Sequence, residues 1–293
     1  MIYYFIPATV RAGGIKVACQ FVTLLIQTGR RAVIVTPNGD APQWFHSSTP
    51  VIPESIARER IQSDDWKMIT WPPDYTRLES WPGKFVNHCQ GTDQLMDAIF
   101  ADPNVPILSC WQQANDYVHT NHSRETIDVG ISISDCFIYD GSQKLKRQVA
   151  YMPRRGHEIA ERCHEENEQL DFFWVDGLDE IEVATTLKLS TYFLAISIGE
   201  EFGLPALEAM ASGCVVLSVP VKGGMEYLHH LENCIVVEPD QLGKWLSWIS
   251  LPSQASLRMG LSRNAIATAC RYRLHDQAKR LRQLSARSLS WLK

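Results

Sequence analysis

The sequence has no C-x-x-C pair; its eight cysteines, at 19, 89, 110, 136, 163, 214, 234 and 270, are scattered over 293 residues. That spacing excludes a small disulfide framework and a structural zinc ribbon, and it reads as mostly buried apolar thiols in a reducing compartment. No apolar run approaches the ~20 residues that span a bilayer, and no basic stretch precedes the first apolar residues. Neither a transmembrane helix nor a secretory signal is therefore expected, and the chain reads as cytoplasmic. An excess of positive charge is also missing. With 28 Lys and Arg against 33 Asp and Glu, the net charge of −5 gives no chain-wide attraction to nucleic acid. Nor does an Asp-x-Asp pattern occur. The adjacent pair Asp64-Asp65 lies in a stretch expected to be irregular, so no metal site is expected.

What is present is an ordinary globular balance, 45% hydrophobic and 21% charged. The length suits two modest α/β domains or one large one, because a single core stops growing near ~250–300 residues. Charge is divided unevenly: from Leu251 onward there are nine Lys or Arg and only Asp276 as an acid. A basic tail follows an acidic body.

Ile2 to Ile6 is a β-rich run, followed after a short loop by Gly13-Gly14. Ala18, Phe21, Val22 and Leu25 then recur at i, i+3, i+4 and i+7, which predicts a helix closed by Gly29. A strand from Arg31 to Thr36 completes a βαβ unit, whose ligands sit beyond the strand C-termini beside the first helix. A dinucleotide fingerprint is excluded, since Gly13-Gly14-Ile15 lacks a third glycine and Thr36-Pro37-Asn38 lacks an acid. Asp40 to Lys84, rich in Pro and Trp, is expected to form loops. Strands are expected at Val105–Cys110 and Ile127–Ile133, with a helix-like stretch after Ser134. The alternation resumes with a strand from Gln148 to Met152, a helix from Glu158, a strand over Phe172–Val175, and a helix over Ile181–Leu189. Strand Tyr192–Ile196 follows, then a helix over Ala206–Ala211 and strands Val215–Ser218 and Cys234–Val237. The expected division is therefore residues 1–147, 148–275, and a basic helical tail over 276–293.

The most informative stretch runs Glu200-Glu201-Phe202-Gly203-Leu204-Pro205-Ala206-Leu207-Glu208-Ala209-Met210-Ala211-Ser212-Gly213. Glu200 and Glu208, eight apart, fall on a loop at a strand end and on the helix that follows. Pro205 suits the first turn of that helix, and Gly203 permits close backbone approach. This segment resembles the Glu-x7-Glu hallmark of the retaining GT-B glycosyltransferases of the family 4 type, with one departure: Glu201 stands where the family has glycine. Gly13-Gly14 resembles the family's glycine loop, and Val221-Lys222-Gly223-Gly224-Met225-Glu226 its Gly-Gly-x-x-Glu turn. Tyr151-Met152-Pro153-Arg154-Arg155 resembles the opening of the second domain in bacterial rhamnosyltransferase-like members.

The resemblance implies a GT-B fold of two Rossmann-like domains whose parallel sheets face a central cleft. It implies a UDP-, GDP- or dTDP-sugar donor, with no metal or other cofactor. Glu208 would bind the ribose and Glu200 the donor-sugar hydroxyls. Arg154 and Arg155 would hold the diphosphate with the amides of Gly13 and Gly14; the family's partner lysine is absent here, so either Arg155 replaces it or donor binding is impaired. The base would lie near Asp176-Gly177-Leu178, by position only, and Phe202, Gly203 and Leu204 would line the donor site. Catalysis would rest on stabilising the departing diphosphate, so Glu200, Arg154 and Arg155 are the expected catalytic group. The acceptor would be a glycan or a lipid-linked glycan in polysaccharide or glycoconjugate biosynthesis. A non-catalytic nucleotide-sugar-binding subunit of a transferase complex is the alternative. Three readings of the basic tail stay open: a solvated helix, a crossover helix returning to the first domain, or a peripheral contact with the inner face of the membrane. Trp111, Gln112, Gln113 and Asn115 follow a strand end where an acceptor could approach. His119 and His122 read as loop histidines, and His229-His230 as structural or solvated.

Overall fold

The computed structural model describes residues 1–152, 154–285 and 289, arranged as two compact units. The first comprises Met1–Ser132 together with the chain from Leu274, and the second Ile133–Arg273. The expected division at Gln148 falls inside a strand of the second unit, and the chain changes units at Ser132–Ile133. Of the expected tail helix, residues 286–288 and 290–293 lie outside the described residues, as does Pro153 of the second-domain motif.

The first unit opens with β1 (Ile2–Phe5), α1 (Gly13–Gln27) and β2 (Ala32–Thr36). Both strands are buried throughout, as expected of a parallel sheet covered on both faces. The apolar stripe of α1 lies in the core through Ile15, Ala18, Phe21, Val22 and Leu25, and burying each such large side chain is worth about 1.5–3 kcal/mol. Next come β3 (Val51–Pro53), α2 (Glu54–Arg60), β4 (Trp66–Ile69), α3 (Pro72–Arg77) and β5 (Lys84–Cys89). These correct the expectation of loops over Asp40–Lys84. The elements run three to seven residues, too short to display a period. Their prolines start α3 or end β3 and break neither. α4 (Asp97–Ala101), β6 (Ile107–Ser109), α5 (Gln112–His122) and β7 (Ile127–Asp128) complete the alternation. The expected strand over Ile127–Ile133 stops early, because the chain turns at Gly130, whose φ is +69°. Among the described residues the sheet has the order β3-β2-β1-β4-β5-β6-β7, all parallel.

In the second unit the expected helix after Ser134 is only a 3-10 turn, Asp135–Phe137. There follow β8 (Leu145–Tyr151), α6 (His157–Glu165), β9 (Asp171–Trp174), α7 (Glu180–Leu189) and β10 (Ser190–Ala195). α8 (Leu204–Ala211), β11 (Val215–Ser218), β12 (Ile235–Val236), α9 (Leu242–Ser250) and α10 (Ala255–Ala269) finish it. Its sheet is parallel in the order β12-β11-β10-β8-β9. The last helix, α11 (Leu274–Ser285), belongs to the first unit, where Ala278 and Leu281 enter the same core as α1.

Candidate active site

The strand order of the second unit selects one crevice. The chain runs from β8 to β9 on one side and then crosses back to β10 on the other, so the loops after β8 and β10 diverge between adjacent strands. Ligands of open α/β sheets sit at such a switch point, outside the carboxyl ends of the strands. Here the loop after β8 carries Arg154 and Arg155, both exposed, and the loop after β10 carries Glu200. A pocket open to solvent occupies this place, lined by Met152, Ser197, Glu200, Gly203, Ser218 and Val221 among others. Burial pushes the Glu200 carboxyl above its usual range, while the positive fields of Arg155 and Arg154 pull it back.

Close backbone contacts build the crevice, and glycine is needed at three of them. Gly156 caps α6 at φ +81°, and a Cβ there would stand 2.3 Å from the Ile196 carbonyl oxygen. Gly203 caps α8 at φ +84°, with the Tyr227 hydroxyl donating to its carbonyl at 2.6 Å. A Cβ on Gly224 would meet the Phe202 carbonyl oxygen at 2.8 Å. The loops after β10 and β11 are thereby held together. Gly223 N–H donates to the Glu201 carbonyl at 2.5 Å, and Lys222 N–H to that of Glu200 at 3.3 Å. Lys222 also forms an ion pair with the Glu201 carboxylate, so the residue that departs from the family pattern has a charged partner on the neighbouring loop.

The other expected donor-site residues are distributed around this frame. Glu208 lies further along α8, 7% exposed, outside the pocket lining. Leu204 is buried at the start of α8, and Phe202 packs among Tyr227 and Tyr272 with ring centroids 5.3 and 5.9 Å away. The Phe202 ring is therefore a packing element, and only its backbone faces the loop. Gly177, with φ +74°, and Leu178 lie in the loop after β9, just before Asp179 caps α7 through a reciprocal capping box with Glu182.

In the first unit Gly13 and Gly14 open α1, exposed, after an extended Ala12 that offers no side-chain cap. No acid lies in the first turn. Lys16, which sequence reading passed over, is 4% exposed in that turn. A lysine four residues from the N-cap Ala12 opposes the helix dipole and was the available signal. Trp111, Gln112, Gln113 and Asn115, expected beside a strand end, and His119 and His122, expected in a loop, lie at the N-cap and along α5. Gln112 donates to Asp116, Asn115 accepts from Thr126, and Trp111 is buried. His122 pairs with Asp97 at 3.0 Å. Six of the eight cysteines are buried and all are unpaired in disulfides. Among the described residues no group of three or more His, Cys, Asp or Glu could hold a metal ion. Among them, too, no helix is long and apolar enough to cross a membrane.

Two parallel α/β units of this construction define the GT-B architecture. The chain superposes on sucrose-phosphate synthase of Thermosynechococcus elongatus with a TM-score of 0.72 and 13% identity, covering 99% of both chains. A glycosyltransferase from Rickettsia africae aligns with TM-score 0.69 and 13% identity over 100% of this chain and 98% of that one. HepE of Anabaena, solved with UDP-glucose, aligns with TM-score 0.67 and 13% identity over 97% and 99%. No curated protein matches the chain in sequence. Residues 156–256 match the family described as glycosyl transferases group 1. That match includes Glu200 and Glu208 and begins just after Arg154 and Arg155. Over residues 156–256 the second unit is similar to the group 1 glycosyl transferases, and the chain as a whole shares the GT-B fold.

Proposed function

We propose that the protein transfers a hexosyl or deoxyhexosyl group from a UDP-, GDP- or dTDP-sugar to a glycan or lipid-linked acceptor, with retention and without a metal ion. The observation that carries this reading is the placement of Arg154, Arg155 and Glu200 on the two loops that diverge at the β8–β10 switch point. The two guanidinium groups match a diphosphate in charge and in donor geometry. Glu200 accepts from donor-sugar hydroxyls, the Glu208 carboxylate from the ribose, and the base lies along Gly177 and Leu178. Gly203, with the backbone of Phe202 and Leu204, forms the wall at the start of α8; on the first unit, the amides at Gly13 and Gly14 offer a helix start suited to a donor phosphate. HepE, crystallised with UDP-glucose, supports a donor of this class.

In the transfer, the bond from the anomeric carbon to the diphosphate oxygen breaks with its electron pair leaving on the diphosphate. The acceptor oxygen bonds to the same face of that carbon, and its proton passes to the departing phosphate. Arg154 and Arg155 stabilise the charge that develops on the leaving group, where electrostatic preorganisation contributes most. Lys279, Arg280 and Arg282 are exposed on α11, which supports work at the cytoplasmic membrane surface where lipid-linked acceptors reside.

The test is a panel of UDP-, GDP- and dTDP-hexoses with turnover and nucleotide binding measured for wild type, Glu208→Ala and Arg154→Ala. One donor is expected to turn over, and each substitution to weaken nucleotide binding by about tenfold or more, as for a lost charged hydrogen bond. Unchanged nucleotide affinity in both variants would sink the site assignment.

A further inference from the structure

Beneath the opening of α1, four side chains form one hydrogen-bonded row. The Gln90 amide nitrogen donates to the Tyr4 hydroxyl at 3.0 Å, and that hydroxyl lies 2.8 Å from His88 Nδ1. On the far side of the ring, His88 Nε2 stands 3.2 Å from Cys110 Sγ. Phe21 of α1 stacks on the imidazole with centroids 4.2 Å apart. Tyr4 and His88 are completely buried, in strands β1 and β5, while Gln90 is half-buried just past the end of β5.

An amide nitrogen only donates, so the Tyr4 oxygen accepts from Gln90. Burial lowers the His88 pKa to about 3, so the ring stays neutral at neutral pH, with one nitrogen donating and the other accepting along the row. With its nitrogen committed inward, the Gln90 carboxamide turns its oxygen toward Gly14. A Cβ on Gly14 would stand 2.5 Å from that oxygen.

We propose that Tyr4 and His88 are positioning residues of the transferase: acting through the Gln90 carboxamide, they fix the Gly13–Gly14 opening of α1. The inference rests on the reading that this opening serves the donor. It assigns work to a buried histidine and tyrosine that touch no substrate.

Tyr4→Phe removes one oxygen and keeps the ring, and Gln90→Leu removes the carboxamide at a half-buried position should the first variant fold poorly. Hydrogen exchange over residues 10–18 of the full-length protein is expected to accelerate about tenfold in either variant, the loss of one hydrogen bond. The kcat/KM for whichever UDP-, GDP- or dTDP-hexose the wild type turns over should fall by a similar factor, carried by donor KM. In Tyr4→Phe the ring 15N shifts of His88 should move as Nδ1 loses its partner. Gly14→Ala should collide with Gln90, and the double variant Gly14→Ala/Gln90→Ala should regain thermal stability without regaining turnover. Exchange and kcat/KM within twofold of wild type in Tyr4→Phe and Gln90→Leu, or full recovery of turnover in the double variant, would overturn the proposal. Accelerated exchange in a protein that turns over none of the donors would overturn the transferase reading instead and leave the positioning of α1 standing.

Discussion

Lys222 Nζ lies 2.7 Å from a carboxylate oxygen of Glu201, joining the loops that follow β11 and β10. Both groups are partly exposed, so the pair contributes under about 1 kcal/mol to stability. Its effect is local, because Glu201 is the immediate neighbour of Glu200. Lys222→Glu is expected to leave the unfolding midpoint almost unchanged and to lower kcat/KM by about tenfold. The swapped pair Glu201→Lys/Lys222→Glu should recover most of the loss, as coupled neighbours do. A double variant no better than Lys222→Glu would show that the pair does not hold the loop.

Gly203 combines a left-handed backbone with a Tyr227 hydroxyl 3.0 Å from where a Cβ would stand. Gly203→Ala should therefore destabilise by about 1–3 kcal/mol, read from denaturant unfolding. Tyr227→Phe should cost about 1 kcal/mol through its lost hydrogen bond. If Gly203→Ala unfolds at the wild-type midpoint, the strain argument is wrong.

The pH dependence of transfer should report Glu200. Burial raises its carboxyl and the two arginines oppose that shift, so removing Arg155 must raise it further. The acid limb of the kcat/KM profile is expected to move to higher pH in Arg155→Ala. A shift to lower pH would contradict the assignment.

Stability should fall in acid through His88. Its folded pKa of about 3 lies below the ordinary 6.5, so the unfolded chain binds a proton that the native state refuses. The stabilisation is fully present above pH 6.5 and is lost as pH falls from there toward 3, at up to about 1.4 kcal/mol per pH unit. His88→Gln should flatten the dependence of unfolding free energy on pH in that window. An unchanged slope would place the acid sensitivity elsewhere.

Long periodic elements were legible in the sequence: the stripe of α1, the apolar runs of β1, β2, β10 and β11, and α8 within its glutamate motif. Those elements carry their own pattern because one face or both faces are buried over a full element. The stretch from β3 to β5 was not legible, since three- to seven-residue pieces beginning or ending at proline look like loops until a sheet pairs them. In the crevice, the glutamates and arginines could be read from residue type and spacing. The glycines at 156 and 224 could not, because their necessity lies in contacts with Ile196 and Phe202 across the fold. The row from Cys110 to Gln90 was invisible for the same reason: its members come from β1, β5 and the residues just past β5 and β6, and each alone reads as ordinary core.

The return of α11 to the first unit has a consequence for biosynthesis. The second unit is one unbroken segment of 141 residues, Ile133 to Arg273, whereas the core around α1 is completed by Ala278 and Leu281. At ~5–20 residues per second, a ribosome needs roughly 7–28 s to cross that segment. During that interval the first unit waits with the α11-facing side of its α1 helix uncovered, while the second already holds everything it needs to fold. The nascent chain is thus most exposed to aggregation at its beginning, and holdase chaperones should bind it there until the last helix emerges.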